Sequence, residues 1–192
     1  WIIPSIMRNP SLLEEYCNSL NFDNSHPIIT SLVPTQIQRL ISHPIGLRWL
    51  QSLDLIWVGG SKLSEHLARE SKNRGLKLSP CCGATETAAM VTALPPKQFL
   101  LGQTNCGNPL KDVHLRVSKD GALNIKTSRL AIAKWRNGQL EKISNSNGWW
   151  ISGDIAQLTM QDYLIKLEIK GRIDSAINSG GEIIFPEDLE NR

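Results

Sequence analysis

Hydrophobic and polar positions in the first part of the chain follow two different periods. Some stretches repeat apolar residues every three or four positions, as an amphipathic helix does, and others are short, β-branched and bounded by Pro or Gly, as buried strands are. In chain order the pattern predicts a helix at 10–20, a strand at 27–33, a helix at 34–41, a strand at 53–60, a helix at 62–75 and a strand at 76–81. This order of elements predicts a layered α/β sheet.

The pattern changes after residue 110. The segment "VHLRVSKDGALNIKT" (113–127) alternates polar and apolar residues around Asp120–Gly121, which is typical of a β-hairpin. Residues 149–174 have the pattern of short strands and turns, without clear helices. We therefore predict an α/β region at 1–106 followed by a β-rich subdomain at 107–172.

Composition narrows the class of protein only a little. Of the 192 residues, 41% are hydrophobic and 20% are charged, as in an ordinary globular domain. The net charge of +3 comes from scattered Lys and Arg, so nucleic acid is not expected as a partner. No apolar run approaches the roughly 18 residues of a membrane span, so no transmembrane segment is expected.

The cysteines do not predict a metal site. Their spacings match neither a zinc pattern nor a secreted disulfide framework, which favours buried thiols and a cytoplasmic location. The four positions are Cys17, Cys81, Cys82 and Cys106.

Two segments of small residues follow predicted strands, "VGG" (58–60) and "CCGATE" (81–86). Ligands of open α/β sheets bind at the carboxyl ends of strands, so both segments are expected on one rim of the sheet. In the second segment, Thr85 and Glu86 place a hydroxyl and a carboxylate directly after a glycine-containing turn. A metal site, a phosphate site, a disulfide and plain packing are all compatible with it, and so is a helix start with Thr as cap.

The chain carries the groups that a nucleotide needs. Thr85 and Arg172 offer a hydroxyl and a cation to phosphate, and Glu86 offers a hard oxygen to magnesium. Asp154 offers a carboxylate to the ribose hydroxyls, and the glycines would let an adenine approach the backbone. Each has an ordinary alternative: an aspartate that caps a turn, an arginine in a surface ion pair, and turn glycines. No GxGxxG and no Walker loop is present.

Four segments in order resemble the later core motifs of the adenylate-forming acyl-CoA ligase superfamily. That family carries Tyr-Gly-x-Thr-Glu, Gly-x-Pro-Leu, Thr/Ser-Gly-Asp and Gly-Arg-x-Asp…Gly-Gly-Glu…Pro-x-x-Leu/Ile-Glu elements. The matching segments here are "CCGATET" (81–87), "GNPL" (107–110), "GWWISGD" (148–154) and "KGRIDSAINSGGEIIFPEDLE" (170–190).

The resemblance implies an enzyme that activates a carboxylic acid with ATP and Mg²⁺ and transfers the acyl group to coenzyme A. Thr85 would contact the α-phosphate and Glu86 would hold the magnesium ion, while Asp154 would bind the ribose hydroxyls and Arg172 the ribose and phosphate. The implied nucleotide-binding residues are Gly59, Gly60, Ser61, Cys81, Cys82, Gly83, Thr85, Asp154 and Arg172. Gly60 and its two neighbours would line the adenine slot.

The remaining implied roles lie near the end of the chain. Asp174 matches the hinge about which the small C-terminal domain rotates, and Gly180 and Gly181 match a loop that lines the coenzyme A tunnel. Residues 173–192 would be the hinge and the start of that small domain.

The sequence also departs from the family pattern. Cys82 stands where members place an aromatic residue against adenine, which predicts weaker stacking. The family's phosphate loop would lie before Trp1 and its adenylation lysine after Arg192, so the chain is expected to be a fragment. The first residue is not Met, and the final "FPEDLENR" has the pattern of a helix that has only begun.

The acid substrate is indicated by "LVPTQIQRL" (32–40), which resembles the o-succinylbenzoate–CoA ligase branch of the family, used in menaquinone and phylloquinone synthesis. The opening "WIIPSIMRNPSLL" also resembles cyanobacterial-type members of that branch. Other aryl or fatty acids remain alternatives, as does a non-catalytic nucleotide-binding remnant. Oligomeric state is not predicted.

Overall fold

The computed structural model describes residues 9–19, 26–161, 164–179 and 182–184, which form two compact units. The first unit holds the described residues up to Pro80 together with Pro95–Thr104, and the second holds Cys81–Leu94 and the described residues from Asn105 onward. None of the described helices is long and apolar enough to cross a membrane. The domain boundary predicted at residues 172–173 stays a prediction.

The first unit is an α/β layer built on parallel strands. Strand β1 pairs with β2, with Ile29 opposite Leu55, and β2 pairs with the first half of β3, with Ile56 opposite Leu78. Its helices are α1 (Ser11–Ser19), α2 (Pro34–Ile41), α3 (Pro44–Ser52), α4 (Glu65–Asn73) and α5 (Pro96–Leu100), and its strands are β1 (Ile29–Leu32), β2 (Leu55–Val58) and the beginning of β3 (Leu78–Ala84). The predicted α/β class is confirmed here.

Local chemistry explains where these helices begin. Helix α2 starts at Pro34, a position that needs no backbone donor, and buries Ile37 and Leu40 on one face. Helix α4 starts later than predicted because the Ser64 hydroxyl caps it, accepting a hydrogen bond from the Leu67 amide at 3.2 Å.

Helix α3 was not predicted from the sequence. It contains Gly46, a residue of low helix propensity. A side chain there would not fit, because a Cβ would lie 2.5 Å from the Leu40 carbonyl oxygen. The glycine that weakened the sequence signal is therefore required by the contact between α2 and α3.

The second unit is almost entirely β-structure, as predicted. One sheet has the order β11-β10-β7-β6 with antiparallel neighbours, and the second half of β3 pairs antiparallel with β4, which pairs with β5. The strands are β4 (Ala89–Ala93), β5 (Asn108–Pro109), β6 (Val113–Val117), β7 (Ala122–Thr127), β8 (Ala133–Arg136), β9 (Gln139–Lys142), β10 (Trp150–Gln161), β11 (Leu164–Arg172), β12 (Ile177–Ser179) and β13 (Glu182–Ile184). The hairpin predicted around Asp120–Gly121 is the β6–β7 hairpin.

The strands of the second unit are held together by a buried cluster of side chains and by backbone hydrogen bonds. The cluster comprises Val91, Val113, Leu123, Ile125, Trp150, Ala156 and Leu167. The backbone of the "GNPL" segment is bonded to β11, since the Leu167 amide donates to the Gly107 carbonyl at 3.1 Å. Gly107 has a φ of +76°, and a Cβ there would overlap the Ala93 carbonyl group, so the first residue of this motif must be glycine for packing.

The prediction of short strands and turns at 149–174 was wrong. Strands β10 and β11 span 12 and 9 residues and pair with each other for most of that length. The Ser-Gly-Asp segment does not end the strand but forms an irregularity within it, where Gly153 takes a φ of +82° and the register against β7 shifts between Ile151 and Ile155. An irregularity of this kind has the sequence signature of a turn while the strand continues.

Candidate active site

The turn after β3 is held together from the inside by Thr87. Thr85–Thr87 form one turn of 3₁₀-helix, and Ala88 then takes a left-handed φ of 58°. The buried Thr87 hydroxyl donates toward the carbonyls of Ala84 and Ala89 at 3.0 and 2.8 Å and accepts from the Ala84 amide at 3.1 Å. A helical turn therefore starts at Thr85, but its N-cap is Ala84 and not Thr85, and the hydroxyl that accepts from the N-cap amide belongs to Thr87.

Gly83 has a structural reason to be glycine. A Cβ at this position would lie 2.5 Å from the Ala89 carbonyl oxygen and 2.6 Å from the Met90 Cα, both in the returning strand β4. The close approach that this glycine permits is thus to the protein's own backbone. Contact between Gly83 and a nucleotide stays a prediction.

Glu86 forms an ion pair with a lysine. Its Oε1 lies 2.7 Å from Lys134 Nζ, on the β8–β9 hairpin, and its side chain is 25% exposed. The hydrogen bond from Lys134 holds the pKa of Glu86 below its usual range. The neighbouring Thr85 is exposed, so both side chains can be reached by a ligand.

The backbone of this turn is held by the segment that leads into β8. The Ala131 amide donates to the Glu86 carbonyl at 2.7 Å. The Arg129 guanidinium donates to the carbonyls of Thr87 at 3.1 Å and Met90 at 3.2 Å, and it pairs with Asp112 at 2.8 Å. This pairing and the Thr127 hydroxyl lower the pKa of Asp112 to about 2. The Glu86 turn therefore has a fixed backbone and a charged, reachable side chain.

Asp154 and Arg172 face each other across β10 and β11. They are register partners, with Arg172 Nη1 3.5 Å from Asp154 Oδ1. The arginine is held more tightly by Asp174, through Nε to Oδ1 at 2.8 Å and Nη2 to Oδ2 at 2.9 Å. The hydrogen bond to Asp174 raises the pKa of Arg172. Gly153 leaves room for this guanidinium, since a Cβ there would be 3.3 Å from Nη2.

Burial gives Asp154 an unusual environment for an acid. Its side chain is 20% exposed, and desolvation raises its pKa although Ser152 and Arg172 act in the opposite direction. The charge of Glu86 also raises the pKa of Asp154, and the charge of Arg172 lowers that of Glu86. The three predicted site residues Glu86, Asp154 and Arg172 are therefore brought within electrostatic reach of one another inside the second unit.

The cysteines of this unit, Cys81, Cys82 and Cys106, are partly buried, and not fully buried as predicted. Burial raises the pKa of Cys82 strongly and that of Cys106 to about 11. Cys82 packs against the hydrophobic cluster of the second unit. Within the ranges that the structure describes, no three His, Cys, Asp or Glu side chains group in a way that could hold a metal ion alone.

The other predicted site residues are described separately. Gly59, Gly60 and Ser61 directly follow β2 in the first unit, where Gly60 has a φ of +84°. Gly180 and Gly181 lie outside the described residues. The side chains that sequence reasoning missed are Lys134 and Arg129, which belong to no motif and reach the Glu86 turn only through the fold.

Comparison with known proteins identifies the family. The family model described as "AMP-binding enzyme" matches residues 11–127. Because this match covers more than half of the chain, the chain belongs to the AMP-binding enzyme family.

Curated relatives and solved structures agree with this assignment. The 2-succinylbenzoate–CoA ligase of Escherichia coli K12 is 31% identical over 160 residues, which are 83% of this chain and 33% of that protein. The indoleacetate–CoA ligase of Aromatoleum aromaticum is 29% identical over 177 residues, covering 85% and 34%. The chain thus spans about a third of the length of these relatives.

Among solved structures, wild-type E. coli MenE with a bound phenylether-linked analogue of OSB-AMS has 30% identity and a TM-score of 0.65, covering 86% of this chain and 34% of that one. The o-succinylbenzoate CoA synthetase of Bacillus subtilis, in complex with the acyl-adenylate OSB-AMP, has a TM-score of 0.76 at 21% identity, covering 95% and 38%. At that identity the second likeness concerns the fold alone.

Proposed function

We propose that this chain is part of an AMP-forming acid–CoA ligase and contributes residues that bind ATP and the acyl-adenylate. The observation that carries the proposal is the grouping of Glu86, Asp154 and Arg172 in one unit, on elements whose order matches the family. A carboxylate for ribose, a cation for phosphate and a carboxylate for a divalent cation are the groups that adenylate chemistry needs.

The reaction has two steps: transfer of the adenylate group from ATP to the acid, and transfer of the acyl group to coenzyme A. The substrate carboxylate attacks the α-phosphorus of ATP, pyrophosphate leaves, and an acyl-adenylate results. The coenzyme A thiolate then attacks the acyl carbon, and AMP leaves with the electron pair of the broken C–O bond. Both steps depend on positioning and on neutralising charge at phosphate oxygens, so hydroxyl, guanidinium and backbone donors can supply much of the catalysis.

In this scheme each residue has one task. The exposed Thr85 hydroxyl donates to an α-phosphate oxygen, and the Asp154 carboxylate accepts hydrogen bonds from the ribose hydroxyls. Arg172 is presented beside Asp154 by its bidentate pairing with Asp174, so its position is set before the nucleotide arrives. Gly59, Gly60 and Ser61 are proposed to line the adenine.

A magnesium ion fits Glu86 as one ligand among several. Mg²⁺ is bound in nucleotide enzymes by one or two carboxylates together with phosphate oxygens and water, so a site with three protein ligands is not required. The Glu86 side chain is ionised and partly exposed, as that role demands. When bound, the ion would neutralise charge on the departing pyrophosphate.

We assign o-succinylbenzoate as the acid, with o-succinylbenzoyl-CoA as the product. The assignment is supported by the "LVPTQIQRL" segment and by the names of the curated 2-succinylbenzoate–CoA ligases. The indoleacetate–CoA ligase at 29% identity favours a second candidate, another aryl acid.

Pyrophosphate release tests the function. The longest natural polypeptide that contains this sequence is assayed with ATP, Mg²⁺ and coenzyme A against o-succinylbenzoate, indole-3-acetate, benzoate and a fatty acid, with the 192-residue chain alongside. We expect release selective for o-succinylbenzoate. Selectivity for another acid would keep the ligase and overturn the substrate, and no release with any acid would overturn the enzyme.

The metal role of Glu86 is tested in the same assay. Glu86→Gln keeps the shape of the side chain and removes its charge, and we expect the Mg²⁺ concentration for half-maximal rate to rise about tenfold, as for loss of a charged ligand worth roughly 1.4 kcal/mol. Glu70→Gln, on helix α4, removes the same charge from a surface pair and should leave the requirement unchanged. An unchanged requirement in Glu86→Gln would contradict the assignment.

A further inference from the structure

The side chain that contacts Glu86 directly is not one of the predicted site residues. Lys134 Nζ lies 2.7 Å from Glu86 Oε1, which is a charge-assisted hydrogen bond. Arg172 acts on Glu86 through its charge, and its guanidinium is occupied by Asp174. The direct counter-charge of the proposed magnesium ligand is therefore an ammonium group.

Movement of the β3–β4 turn cannot easily separate Glu86 from Lys134, because hydrogen bonds hold the backbone of this turn. The Glu86 carbonyl accepts from Ala131 at 2.7 Å, and the carbonyls of Thr87 and Met90 accept from Arg129. These donors come from Arg129 and Ala131, which lie five and three positions before Lys134. The same short segment thus fixes the backbone of the turn and supplies the cation for its carboxylate.

The Lys134 ammonium can leave the Glu86 carboxylate at low cost. The lysine side chain is 48% exposed, so its ammonium can regain water when it leaves the carboxylate. It also lies 5.8 Å from the centre of the Trp150 ring, whose face offers a second favourable position for a cation. Strand β8, which carries Lys134, is paired with the exposed strand β9.

Resting on the proposed metal role of Glu86, we propose that Lys134 is the resident counter-cation of this carboxylate and competes with a divalent cation for it. With no divalent cation bound, the ammonium holds Glu86. A divalent cation binds only as the ammonium withdraws toward water and Trp150. Lys134 therefore sets the concentration of Mg²⁺ that the site requires, and its positive charge is the property that matters.

Manganese binding to the full-length protein, without nucleotide, tests this competition. The dissociation constant of Mn²⁺ is measured by water proton relaxation at low salt for wild type, Lys134→Gln and Lys134→Arg. Releasing a partly exposed ion pair should tighten Mn²⁺ binding about two- to fivefold in Lys134→Gln. Lys134→Arg keeps the charge and should bind Mn²⁺ as wild type does.

Two further variants separate this inference from the function on which it rests. Lys142→Gln removes one exposed charge from the partner strand of the same hairpin and should leave Mn²⁺ binding unchanged. In Glu86→Gln, Mn²⁺ binding should weaken, and adding Lys134→Gln should no longer tighten it.

The outcomes are distinct. No tightening in Lys134→Gln, or equal tightening in Lys142→Gln, overturns the competition while Glu86 remains the metal ligand. Unaltered Mn²⁺ binding in Glu86→Gln overturns both the metal role and the competition. Thermal unfolding of each variant is measured beside binding, and the charge-preserving Lys134→Arg shows whether a change reflects the charge or the packing of the hairpin.

Discussion

At the scale of single residues, the candidate site depends on how Arg172 is shared between Asp154 and Asp174. Arg172 makes two short hydrogen bonds to Asp174, so the partly buried Asp154 receives only a long contact of 3.5 Å from it. A carboxylate with weak internal partners can accept hydrogen bonds from ribose hydroxyls. The pairing of Arg172 with Asp174 lies within one short motif, whereas Asp154 belongs to a second motif and meets Arg172 only through the pairing of β10 with β11.

Lys134 could not be predicted from any motif. It lies 48 positions from Glu86 in the chain, and the two meet only because the segment after β7 returns to the β3–β4 turn. A lysine on an exposed hairpin has no sequence feature that separates it from other surface lysines. Contacts of this kind follow from tertiary structure alone.

Replacement of Asp154 by Asn should separate binding from stability. Because burial raises the pKa of Asp154, its ionised form costs folding free energy above the folded-state pKa, and that cost is relieved as pH falls through it. Asp154→Asn should therefore unfold at pH 7 no more easily than wild type. In the full-length protein, the Michaelis constant for ATP should rise about tenfold, as expected for loss of a charged hydrogen-bond acceptor.

The control for this variant is Asp120→Asn in the β6–β7 turn, where an exposed aspartate accepts from Ser118. It should not alter the ATP requirement. A Michaelis constant for ATP in Asp154→Asn that equals that of wild type would contradict the ribose assignment, whatever the unfolding experiments report.

At the scale of elements, the local pattern predicted regular segments well and irregular ones badly. Helix α2 was predicted with its observed bounds because Pro34 and the apolar stripe mark both its start and its buried face. Helix α3 was missed because Gly46 lowers helix propensity for the sake of packing. Strand β10 was predicted as separate short strands because Gly153 and Asp154 have the sequence pattern of a turn, whereas they form an irregularity in the pairing with β7 within a continuous strand.

The β3–β4 turn offers a prediction at this scale. The Thr87 hydroxyl joins three backbone groups of Ala84 and Ala89, so Thr87→Val keeps the shape and leaves buried polar groups without a partner. We expect the free energy of unfolding to fall by about 1–3 kcal/mol. Urea denaturation measures this difference.

Thr92, on strand β4, is a matched comparison for the same substitution. Its hydroxyl is equally buried and has no hydrogen-bond partner among the described residues. Thr92→Val should therefore be neutral or stabilising. If both variants lost the same stability, the loss would reflect the general cost of altering this β-hairpin, and the special role of Thr87 in the turn would be refuted.

At the scale of the whole molecule, the residue at which the second unit begins could not be predicted from the sequence. The sequence suggested an α/β region up to residue 106, whereas the second unit already begins at Cys81, within strand β3. Strand β3 leaves its parallel partner after Pro80 and pairs antiparallel with β4 from Cys81, a change of partner that the hydrophobic pattern did not predict. The consequence is that Thr85, Glu86, Asp154 and Arg172 all belong to one unit.

Hydrogen exchange on the full-length protein tests whether these residues respond together. A ligand that binds only the folded state suppresses the local openings of the segments it contacts. Addition of ATP and Mg²⁺ should therefore slow exchange at residues 82–90, 150–156 and 168–174. Strand β6 carries none of the proposed ligands and serves as the internal reference. Asp154→Asn should lose the protection at matched ATP concentration. Equal protection of β6 and the three segments would instead indicate a general stabilisation, because a nucleotide held by Thr85, Asp154 and Arg172 must leave a local footprint.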